Sequence, residues 1–152
     1  MLIRAFENIG PIASREHADL LLEVAFLVTA ADGRLDPLEV IAFRELFGRV
    51  RGAEPTDADV AQLYEAFTKA LATTPPVERV KQVAPHLPAE LRETAFRTAM
   101  ALALVDRDAS PHEDDLIDAL FHALSLDGAR AEVIATEVRV AMSPPLDAPP
   151  PT

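Results

Sequence analysis

The stretch AADGRLDPLE, residues 30–39, follows an apolar run and leads into a second run with helical spacing. It reads as a corner between two helices. Gly33 breaks the first helix, since its φ freedom suits a terminator. Asp36 is placed to cap the second, with Pro37 at the favoured first position and Glu39 three residues after the cap. A worn copy, VDRDASPHE at residues 105–113, repeats the design: Asp106 for Asp32, Ser110 for Asp36, Pro111 for Pro37 and Glu113 for Glu39, each 74 residues on. The same offset carries Leu46 to Leu120 and Phe47 to Phe121.

Helix signals continue along the rest of the chain, and strand alternation is nearly absent. Ser14 caps a helix running to about Ala31, and the helix after Asp36 runs to about Arg49 before Gly52. Thr56, with Asp59 in the box position, starts a helix with Val60, Leu63, Phe67 and Leu71 on one stripe. A short helix follows Pro75 and Pro76, carrying Val77, Val80 and Val83 on one face and ending at Pro85 and Pro88. A long helix then reaches Val105, Ser110 caps the next, and Asp127 with Gly128 opens a last helix to about Val140. The fold class is therefore all-α: about seven helices, in a bundle built from two pseudo-symmetric helix-turn-helix halves joined by an insert. LLLEVAFLVTAA (20–31) and AMALALV (99–105) are apolar almost all round, which predicts two helices in the bundle centre. Expected boundaries are an N-terminal segment 1–13, a helical domain 14–142 and a disordered Pro-rich tail 143–152.

Composition narrows function. The 152 residues are 49% hydrophobic and 26% charged, enough for one domain with a sizeable core. The net charge of −11 opposes binding to nucleic-acid backbones and to anionic membranes, and favours cations and basic proteins. There is no Cys, which removes disulfides, thiolate metal sites and Cys nucleophiles. MLIRAFENIG has no continuous apolar segment or cleavage signature, and residues 20–31 are too short to span a bilayer and carry Glu23. A soluble cytoplasmic protein is expected.

The corner's acids raise the question of metal. DGRLDPLE fits the second half of a calcium loop, with Asp32 at position 5, Gly33 at 6, Leu35 at 8 and Glu39 at 12. Val28 and Ala30 fill positions 1 and 3, so a true EF-hand is excluded. A weaker divalent site stays open. The end of the first helix offers unpaired carbonyls, with Asp32 and Glu39 just beyond, and Asp106, Asp108 and Glu113 repeat the arrangement. Against it, Glu39 and Glu113 stand in first turns, whose positive ends repel a cation, and a plain capping box explains each Glu structurally. In the second copy Arg107 replaces Gly33 and Ala109 replaces Leu35, so Arg107 can fill the site with its own charge. The first corner is the better candidate.

Other constellations carry less. HEDDL (112–116) has Leu116 where a zinc-protease helix needs His. Asp118 and His122 are spaced as a surface pair on a helix face. Glu23, in an apolar helix, needs a partner, and the repeat offset points to Arg97. No nucleophile–base–orienter set and no phosphate-binding Gly-rich loop is present.

These residues resemble the tellurite-resistance TerB-like family over roughly residues 14–142. AADGRLDPLE matches the family's A-D-G-x-aliphatic-x-x-x-E pattern fully, and VDRDASPHE matches it in part. The resemblance implies an all-helical fold of two related halves in bacterial proteins or cytoplasmic domains. It implies links to tellurite and other chemical stress, to phage defence and, in one branch, to a membrane-anchored DnaJ-type co-chaperone. It brings no enzymatic activity. It implies a divalent cation (Ca, Mg or Zn) at Asp32 and Glu39, with Asp106 and Glu113 as the weaker pair. The expected function is thus a non-catalytic adaptor with a protein partner, no nucleic acid and no membrane. Two alternatives stand beside it: a small metal-dependent enzyme using Asp32 and Glu39, and a structural homodimer pairing Phe43/Phe47 or Phe121/Leu124 between chains.

Overall fold

A computed structural model describes residues 4–30, 37–105 and 111–142. Seven α-helices and no strand stand among them. They are α1 (Arg15–Ala30), α2 (Pro37–Arg51), α3 (Asp57–Leu71), α4 (Pro76–Val83), α5 (Ala89–Val105), α6 (Pro111–Ala123) and α7 (Gly128–Met142). Short 3-10 turns cover Arg4–Phe6 and Ala84–His86. The all-α class and the helix count match the sequence expectation.

The repeat survives in the order of the helices. α5 begins 74 residues after α1, and α6 begins 74 after α2. Part of the cause is local: a residue type that caps helices, followed by Pro, stands at the start of both α2 and α6, at Asp36–Pro37 and Ser110–Pro111. Where the caps lie within the described residues they form as expected. Ser14 Oγ accepts from the His17 N–H at 3.2 Å. Thr56 and Asp59 make both halves of a capping box, each at 3.1 Å. Asp127 accepts from the Arg130 N–H at 3.1 Å. The expected caps Asp36 and Ser110, and the terminator Gly33, lie outside the described residues. α2 ends at Gly52, whose φ of +76° is in the left-handed region, and whose N–H returns to the Gly48 carbonyl at 2.9 Å.

α1 is the central helix. Every residue from Leu21 to Thr29 is buried, and the helix packs against α2, α4 and α5. α5 is central on one side, where Ala95, Ala99 and Leu102 are fully buried. Its other side departs from the expectation of an all-round buried helix, since Met100, Ala103 and Leu104 are only partly buried. α7 packs on α5 together with the Arg4–Phe6 turn, which drives Phe6 into the core. The insert behaves differently in its two parts. α3 seals the α1–α2 cleft with aromatic rings: Phe26 meets Tyr64 at 5.2 Å and Phe67 at 5.4 Å, and Phe43 meets Tyr64 at 5.0 Å. α4 bridges α1 and α6. No helix among the described residues is long and apolar enough to cross a membrane.

Candidate functional site

Of the four acids singled out in the sequence, Asp32 and Asp106 lie outside the described residues. Glu113 falls in the first turn of α6, and its side chain also lies outside them. Glu39 is described, and its position is unusual. It sits in the first turn of α2 with only 1% of its surface exposed. The capping-box acid of α3, Asp59, is by contrast exposed. A carboxylate used only as a cap costs least at the surface, because burial penalises the charged form. Among the described residues no three His, Asp or Glu side chains converge as metal ligands.

The charge of this carboxylate acts on Tyr64, to which the sequence had given no role. Its ring lies between Phe26 and Phe43, and its hydroxyl is buried with no hydrogen-bond partner among the described residues. Burial first, and then the negative charge of Glu39, push its pKa up to about 12. The signal was available: Tyr64 is four residues after Val60 and three before Phe67, on the apolar stripe of α3.

The Glu23 expectation is corrected. Its partner is Arg79 of α4, which grips both carboxylate oxygens: Nε binds Oε2 closely, and Nη2 donates to Oε1 at 3.0 Å. That carboxylate raises the pKa of Arg79 further above its ordinary value. Arg97 pairs instead with Glu137 of α7 at 2.6 Å, which lowers the Glu137 pKa. The repeat offset misled here because α4 belongs to the insert and has no counterpart in the repeat. The smaller expectations hold. Asp118 and His122 lie 3.7 Å apart on the surface, and Leu116 is a core residue. Of the residues named for pairing between copies, Phe43, Phe47 and Leu124 are buried within the chain and Phe121 is partly buried.

A second feature was not anticipated. A groove of about 540 Å³ runs between α5, α6 and α7. Its floor is apolar, with Phe96, Met100 and Leu104 from α5 and Ile117 and Phe121 from α6. Ala131 and Ala135 of α7 keep the far wall low. Asp114, Asp118 and Glu132 stand around it with Arg139.

Compared with known proteins, residues 18–136 match the family model described as tellurite resistance protein TerB. No curated protein and no solved structure matches the chain.

Proposed function

The chain belongs to the TerB family, and from that premise we propose that it is a non-catalytic adaptor of bacterial stress response or defence, tuned by a divalent cation. The observation that carries this reading is the burial of Glu39 in the first turn of α2, where its charge acts on Tyr64. A buried carboxylate is stabilised by positive charge, and a cation placed there would tie the α1–α2 corner to the helix it caps.

Asp32 and Glu39 would hold the ion, with Asp106 and Glu113 as a second, weaker pair. The donors are oxygens, and the chain has no Cys, which favours Ca²⁺ or Mg²⁺ over Zn²⁺. Few protein oxygens are on offer, so such an ion would keep several waters and bind weakly. When bound, it neutralises the corner. The Phe26–Tyr64–Phe43 cluster ties α1, α2 and α3 together.

The test is capture of binding proteins on immobilised chain, in millimolar Ca²⁺ or in chelator, beside an Asp32→Asn/Glu39→Gln variant. The expected result is a partner retained by the wild-type chain with cation, released by chelator, and lost by the variant. An identical set of retained proteins in all conditions would overturn the cation-tuned reading.

A further inference from the structure

We propose that the groove between α5, α6 and α7 is the docking site for a basic amphipathic helix of a partner protein. This rests on the adaptor reading above and names the surface it uses.

The repeat identifies the occupant. In the first half, Phe26 of α1 and Phe43 of α2 hold the ring of Tyr64, and α3 thereby seals the cleft. Carried 74 residues on, Phe26 becomes Met100 and Phe43 becomes Ile117. Both of these line the groove and are only partly buried. Phe47 becomes Phe121, which changes from 4% exposed to half-buried beside the same groove. The second half therefore keeps the seat that α3 fills in the first, but α7 stands to one side of it with small residues along its wall. A methionine in such a seat adapts to varied apolar side chains. Helix-in-groove recognition needs an apolar floor of this kind, read by residues spaced three and four apart.

Charge decides between occupants. Among the described residues, Asp114, Asp118 and Glu132 outnumber Arg139 around the groove. A partner helix flanked by Lys or Arg is attracted by that edge. A second copy of this chain, at net charge −11, is repelled. The chain's own residues 143–152 contain Asp147 and no Lys or Arg, so they lack the complementary charge.

The probe is a fluorescent synthetic peptide. It copies the apolar positions of α3 (Val60, Leu63, Tyr64, Phe67 and Leu71) and carries Lys at the remaining exposed positions. Anisotropy with the full chain should show saturable binding. Met100→Glu should weaken it at least tenfold. Asp114→Lys/Asp118→Lys, changes at exposed positions that leave the core intact, should weaken it several-fold and relieve the rejection of a Glu-substituted peptide. Absence of saturable binding, or binding that ignores both variants, would overturn the proposal. Self-association of the chain that Met100→Glu abolishes would also overturn it, by giving the groove to a second copy. Binding that arises only when residues 143–152 are replaced by a Gly-Ser stretch would overturn it too, by giving the groove to the chain itself. If a captured partner ignores the groove variants, the groove assignment fails while the adaptor reading stands. If nothing is captured at all, the adaptor reading fails first.

Discussion

Tyr64 is the chain's one tyrosine, and there is no tryptophan, so its absorbance and emission report on a single site. Its pKa is raised to about 12 from 10.0, first by burial and then by Glu39. The folded state thus favours neutral Tyr64. That contribution is complete below pH 10 and is lost as pH rises from 10 through about 12. Titration of the phenolate band, with circular dichroism to follow folding, should give a midpoint near 12 in buffer and near 10 in denaturant. Glu39→Gln should lower the native value while leaving most of the shift, because burial dominates it. At Glu23 the account is equally specific. Arg79→Met leaves a nearly buried carboxylate without its partner and should cost about 2 kcal/mol by urea unfolding, discounted because Arg79 itself is partly exposed. Arg97→Ala removes a surface pair and should cost under about 1 kcal/mol. The sequence showed that Glu23 needed a partner, but not which one. The partner came from α4, beyond the reach of an argument from repeat symmetry.

Helices were legible where punctuation was strong. The Thr56–Asp59 box and the Pro75–Pro76 start of α4 were readable because caps and prolines act over three or four residues. Thr56→Ala should destabilise by about 1 kcal/mol in a thermal or urea melt. Hydrogen bonds from Thr56 hold the Asp59 carboxyl below its ordinary range. Its contribution is therefore present above the ordinary carboxylate value and lost as pH falls through the lowered one. The acid limb of a stability–pH curve should be shallower in Asp59→Asn than in wild type. The exposure of α5 was harder to read. Its apolar run resembles that of α1, and local sequence does not say which neighbours arrive to cover it. α3 closes the first half with rings, whereas α7 brings Ala131 and Ala135 to the second.

The whole molecule is a repeat with unequal halves. Its first half is sealed and carries a buried acid at its corner, while its second half leaves an apolar seat beneath carboxylates. That inequality separates the two proposed activities, with cation binding at one corner and helix docking at the opposite half's groove. Family and fold were legible because the AADGRLDPLE motif and its copy sit at helix junctions, where spacing constrains residue type. The depth at which Glu39 sits was not legible, since a first-turn Glu reads the same whether exposed or buried. The most direct test is calorimetric titration of chelator-treated protein with Ca²⁺ and Mg²⁺, beside the Asp32→Asn/Glu39→Gln variant. The expected result is saturable binding in the wild type that the variant loses. No heat of binding up to millimolar metal, with the variant differing only in stability, would contradict the cation site and leave the corner as a buried cap.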